Sequence, residues 1–106
     1  MGICNNLARL TQLQSQINDF EQKEITISRA KTDLASNICD YQMTLSGMDP
    51  SSAEYKTFQE RIDRLNQVEK RLDEKLTKIQ TQLQFAEAEI GKRKEGVQTN
   101  IQKMYA

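Results

Sequence analysis

The sequence has no histidine and no tryptophan, and it has only two cysteines, one proline and four glycines. Without histidine, a metal site or an activated nucleophile within one chain would depend on the two thiols and on carboxylates. Cys4 and Cys39 lie on one predicted helix, where a rise of about 1.5 Å per residue separates them by roughly 50 Å. They cannot form an intrachain disulfide at that distance. We therefore expect two reduced thiols, no metal or cofactor, and no enzymatic activity.

The chain also lacks a net charge and a long apolar run. Its 15 basic and 15 acidic residues are interleaved, which gives no electrostatic reason to expect nucleic acid or an anionic membrane as a partner. No apolar run approaches the roughly 20 residues that a membrane-spanning helix needs. No short apolar segment follows a basic N-terminus, so a signal peptide is not indicated. The expected location is the cytoplasm, or outside the cell by a signal-peptide-independent route.

The segment 46–52 reads Ser-Gly-Met-Asp-Pro-Ser-Ser and lies almost at the midpoint of the 106 residues. Gly47 can take the left-handed conformation that ends a helix, and Pro50 cannot continue one. Ser51 and Glu54 have the spacing of a capping box at the start of a second helix. So short a connection makes the two helices antiparallel neighbours. The predicted turn residues are Gly47, Asp49, Pro50, Ser51 and Glu54.

Apolar residues recur at alternating steps of three and four on both sides of this turn, which is a heptad pattern. The sequence therefore predicts an all-α fold, a single antiparallel helical hairpin that packs as a two-helix coiled coil. We expect one domain over 1–106, with arms at about 3–46 and 53–104. The predicted seam of the first arm is Ile3, Asn6, Leu10, Leu13, Ile17, Phe20, Glu24, Ile27, Lys31, Leu34, Ile38, Tyr41, Leu45 and Met48. That of the second arm is Tyr55, Phe58, Ile62, Leu65, Glu69, Leu72, Leu76, Ile79, Leu83, Ala86, Ile90, Arg93, Val97, Asn100 and Met104.

One register brings the two seams together along their length. The facing pairs include Tyr41 with Ile62, Ile38 with Leu65, Lys31 with Leu72, Phe20 with Leu83, Ile17 with Ala86 and Leu13 with Ile90. In this register Lys31 and Glu69 occupy adjacent layers with opposite charge, as a polar pair that fixes register would. The alternative is that both side chains extend out of the seam into water.

Two glycines, Gly91 and Gly96, lie near the end of the second arm and weaken its helix. The basic residues between them are typical of a solvated surface. The alternative is a kink, or a place where a neighbouring chain approaches the backbone closely.

Several large apolar residues fall outside both seams, where a lone hairpin cannot bury them. Isolated exposed apolar residues are ordinary. Helices, however, gain most of their stability by packing an apolar face, and further helices would provide that contact. The predicted assembly or partner contacts are Leu7, Ile25, Met43, Phe85, Ile101 and Tyr105.

A helical hairpin of about this size with a polar turn resembles the needle subunits of bacterial type III secretion systems. The matching residues are Asp49-Pro50-Ser51-Ser52, the polar opening of the second arm at Gln59, Asn66 and Gln67, and Ile101-Gln102 near its end. The resemblance covers architecture over the whole chain and specific residues only at the turn. Ala53 stands where those subunits often carry a second proline. The resemblance implies polymerisation into a hollow helical tube.

Together these patterns favour a non-enzymatic structural protein that packs side by side with copies of itself in a filament or tube. The alternative is a binding module: an adaptor, tether or secretion-chaperone component that docks another helical protein through the end carrying Leu7, Phe85, Ile101 and Tyr105.

Overall fold

Two long helices make up almost the whole chain. The computed structural model describes residues 2–105, apart from the side chain of Tyr105. Helix α1 spans Ile3–Ser46, helix α2 spans Ala53–Tyr105, and no strand occurs among the described residues. The predicted all-α helical hairpin is confirmed. Its contacts form two compact units: unit 1 contains Met1–Glu24 and Lys78–Ala106, and unit 2 contains Ile25–Thr77 with the turn.

Helix α1 ends in a tightened turn. The N–H groups of Gly47 and Met48 donate to carbonyls three residues back, at 3.2 and 3.0 Å, as the last carbonyls of a helix often require. The prediction of a left-handed Gly47 is wrong, because Gly2 is the only described residue with positive φ. An added Cβ at Gly47 would meet only the Thr44 carbonyl oxygen, at 3.7 Å, so alanine fits there.

The reversal itself is a β-turn over residues 49–52. The Ser52 N–H donates to the Asp49 carbonyl oxygen at 3.0 Å, which places Asp49 first and Pro50 second, the positions these residues favour. The Asp49 carboxylate accepts the Ser51 N–H at 3.0 Å and the Ser51 hydroxyl at 2.8 Å. These two hydrogen bonds lower the pKa of Asp49.

The N-terminal cap of α2 is Ser52, one residue later than the predicted capping box of Ser51 and Glu54. The Ser52 hydroxyl oxygen accepts the Tyr55 N–H at 3.1 Å, the usual cap contact three residues into the helix. Ser51 instead binds the Asp49 carboxylate through its N–H and its hydroxyl. The prediction is corrected accordingly.

Replacing Ser52 with alanine should lower the free energy of unfolding by about 0.5–2 kcal/mol, since the Tyr55 N–H loses its acceptor. Ser51→Ala is the matched control, and it should have a smaller effect because its backbone N–H still binds Asp49. Urea denaturation followed by circular dichroism measures both. Equal losses for the two serines would contradict this assignment of the cap.

The core of unit 2 forms along the predicted seam. Ile38 and Ile62 are buried in one cluster, and their predicted facing residues, Leu65 and Tyr41, pack against it. The remaining members of this cluster are Leu34, Leu45 and Leu72. The rings of Tyr41 and Phe58 lie 5.5 Å apart at a 59° tilt, a favourable aromatic geometry that links neighbouring layers.

Unit 1 has a second apolar core, and it follows the same register. Its buried members are Leu13, Ile17, Ala86 and Ile90, with Leu10, Phe20 and Leu83 packed against them. The facing pairs predicted here, such as Leu13 with Ile90, therefore lie within one cluster. Every predicted seam position except Met104 is buried or partly buried. Met104 is 73% exposed because Asn100 already faces the first residue of α1.

Candidate assembly surface

The predicted assembly contacts lie on the outside of both units. Leu7, Phe85 and Ile101 are exposed in unit 1, and Ile25 and Met43 are exposed in unit 2. The side chain of Tyr105 lies outside the described residues. Sequence reasoning placed Met104 in the seam, whereas the structure adds it to the exposed apolar side chains of unit 1. Exposed apolar side chains therefore occur in both units, and those of unit 2 also include Val68.

Phe85 is the most exposed large apolar side chain among the described residues, at 74%. It occupies a heptad position outside the seam, and only about a quarter of it is buried. Beside it lies a shallow surface groove of about 230 Å³. The groove is lined by Leu13, Gln16, Phe20, Gln82, Phe85, Ala86 and Glu89. An apolar projection and an apolar groove thus lie next to each other on one surface.

The predicted register pair of Lys31 and Glu69 does not form. The Lys31 ammonium instead makes a salt bridge with Asp73. Lys31 faces Leu72 in the seam, and its long side chain extends outward to the neighbouring carboxylate. About a third of the Lys31 side chain and half of the Asp73 side chain remain accessible, so water and salt weaken this pair.

In unit 1 a cluster of polar side chains joins α1 to α2. We call this cluster the clasp, and its members are Asn6, Arg9, Glu89 and Arg93. Arg9 donates two parallel hydrogen bonds to the Glu89 carboxylate, at 3.0 and 3.1 Å. Arg93 donates to the Asn6 side-chain oxygen at 3.1 Å, and its guanidinium lies 3.8 Å from Glu89. Fork-to-fork contacts of this kind fix orientation as well as attract.

Sequence reasoning missed the clasp. Asn6 and Arg93 were recognised as polar seam positions, but their contact joins different layers. Arg9 and Glu89 flank the seam at equivalent heptad positions, which oppose each other in an antiparallel pair. A search for opposite charges at those flanking positions could have found this ion pair.

The contact between Arg9 and Glu89 shifts the pKa of both groups. The hydrogen bond from Arg9 lowers the pKa of Glu89, with smaller contributions from the charges of Arg9, Arg93 and Lys92. The same hydrogen bond raises the pKa of Arg9. Because the folded-state pKa of Glu89 is depressed, the stability that it contributes is present above its unfolded pKa. That contribution is lost as the pH falls through the folded value.

Helix α2 continues through both glycines near its end. The residue that approaches Gly96 closely is Asn6, whose amide nitrogen would lie 3.2 Å from an added Cβ. At Gly91 an added Cβ would meet nothing within 4 Å. A close approach thus occurs at Gly96, but the approaching side chain belongs to the same chain and not to the neighbouring chain that was predicted as an alternative.

Gly91→Ala should raise the free energy of unfolding by about 1 kcal/mol, the difference in helix propensity. Gly96→Ala, the matched variant, should gain less because Asn6 must move aside. Thermal and urea melts compare the two proteins under identical conditions. A gain at position 96 as large as that at position 91 would show that the approach of Asn6 is not restrictive.

Two further features are absent from the described residues. No group of acidic or cysteine side chains among residues 2–105 is arranged to hold a metal ion. Neither helix, over the same residues, has a stretch long and apolar enough to cross a membrane. No family model matches the chain, and no curated protein or solved structure matches it either.

Proposed function

We propose that the chain is a structural subunit that packs side by side with copies of itself in a filament or tube. The observation that carries the proposal is the exposed Phe85 beside an apolar groove, on a hairpin whose seam is already filled by its own two helices. The resemblance of the turn to needle subunits connects this assembly with protein secretion.

Assembly repeats the burial of Phe85 at every subunit. Burying a phenylalanine side chain is worth roughly 1.5–3 kcal/mol, and a polymer gains this at every subunit. An isolated hairpin gains little from an aromatic side chain that is 74% exposed. The balanced and interleaved charges allow copies to approach each other without long-range repulsion.

The second candidate is a binding module, an adaptor, tether or secretion-chaperone component. It is favoured by the exposed apolar side chains of unit 1, which are Leu7, Phe85, Ile101 and Met104. A single docking site of this kind would bind one helical partner and would not produce a repeating assembly.

Light scattering on a concentration series distinguishes the two candidates. Open polymerisation predicts an average mass that keeps rising with concentration, whereas a closed dimer reaches a plateau. A mass that stays at one chain up to millimolar concentration would overturn the assembly proposal and leave the binding module as the better account.

A further inference from the structure

The seam of unit 1 becomes more polar toward the chain termini. As far as the Leu13–Ile90 layer, both sides of each layer in this unit's core cluster are apolar. Beyond it, each layer has a polar residue on one side: Arg93 opposite Leu10, then Asn6, then Asn100. We call residues 3–10 of α1 and 93–104 of α2 the distal end. Its apolar packing is incomplete, and the clasp bridges its two helices.

We propose that the clasp is an acid-released device that holds the distal end closed at neutral pH and lets its two helices separate in acid. The separation is local, because the neighbouring apolar cluster around Leu13 and Ile90 contains no ionisable side chain and is not affected by protonation. This property belongs to the single chain and does not depend on assembly with copies.

The Glu89 carboxylate is the one acidic group of the clasp. It faces Arg9 from α1, and Arg93 and Lys92 from α2. Protonation removes the negative charge that holds Arg9, and it leaves three cations close together. The depressed pKa of Glu89 agrees with this order of events, since release begins below the unfolded value of about 4.3.

The distal end has little else to keep it closed. Its apolar seam residues, Ile3, Leu10 and Val97, are only partly buried. Its α2 segment also contains Gly96, which weakens the helix. Segments with few buried apolar contacts open at lower free energy than the rest of a structure. Loss of the two ion pairs that Glu89 makes with Arg9 and Arg93 can therefore open this end without unfolding unit 2.

Distances between paired spin labels test the proposal. The distal pair joins native Cys4 to a label at position 98, introduced by Gln98→Cys in a Cys39→Ser background. The reference pair lies in unit 2 and joins native Cys39 to a label at position 66, introduced by Asn66→Cys in a Cys4→Ser background. All four labelled positions are exposed. Dilution with unlabelled protein suppresses distances between copies, and measurements run from pH 7 to pH 2.

We expect the distance within the distal pair to be short and narrow at pH 7 and to become long and broad in acid, while the distance within the reference pair stays narrow. Glu89→Gln should give the broad distribution already at pH 7, and Glu87→Gln, an exposed neighbour on the same helix, should behave as the wild type. A narrow distal distance in Glu89→Gln, or simultaneous broadening of both pairs in the wild type, would overturn the proposal.

Discussion

Leu13→Ala is expected to lower the free energy of unfolding by about 2–5 kcal/mol, the range for removing a fully buried leucine side chain. Leu13 is 1% exposed and lies in the core of unit 1 between Ile17, Ala86 and Ile90. The two helices that surround it cannot close the resulting cavity without giving up their own contacts. Urea denaturation followed by circular dichroism measures the loss.

Leu7→Ala is the matched control, because it makes the same chemical change on the same helix, two turns away. Leu7 is 48% exposed and outside the seam, so its truncation in dilute solution should have an effect below about 1 kcal/mol. Similar losses for the two variants would show that the seam of unit 1 does not run through Leu13. That result would contradict the register described above.

The helical hairpin and its seam could be predicted from sequence because burial requires apolar residues at heptad spacing, and that spacing is visible in the sequence. Even the polar seam positions Glu24, Lys31 and Glu69 are partly buried where the heptad places them. The exception, Met104, follows from where α1 begins, which the heptad pattern does not specify.

The details that failed depend on competition between neighbouring groups. Ser51 and Ser52 both suit a helix cap. In the structure Ser52 caps α2, whereas Ser51 binds the carboxylate of Asp49. Lys31 likewise has two acceptors within a turn of each other, and the reach of its side chain selects Asp73 over Glu69. A register gives the facing positions of the backbone but not the end point of a long side chain.

Phe85→Ser should abolish assembly while leaving the helicity and melting temperature of the dilute chain almost unchanged. Phe85 is 74% exposed in its own chain, so under the assembly proposal the serine variant should lose contacts mainly between copies. At a repeated contact a loss of about 1.5–3 kcal/mol weakens each association roughly 10- to 150-fold. Sedimentation velocity and thermal melts on the same samples measure both effects.

Leu83→Ser is the control for this variant, because Leu83 lies two residues away and packs against the core of unit 1. It should lower the melting temperature of the dilute chain, which Phe85→Ser should not do. If Phe85→Ser lowers the melting temperature and leaves the polymer intact, Phe85 stabilises its own hairpin and is not an assembly contact.

Electron microscopy of the purified wild-type protein at high concentration tests the central claim, self-assembly, most directly. The account predicts long filaments or tubes of uniform width, and their absence from Phe85→Ser prepared in parallel. Wild-type fields that contain only small separate particles, at concentrations where the chain is fully helical, would contradict it.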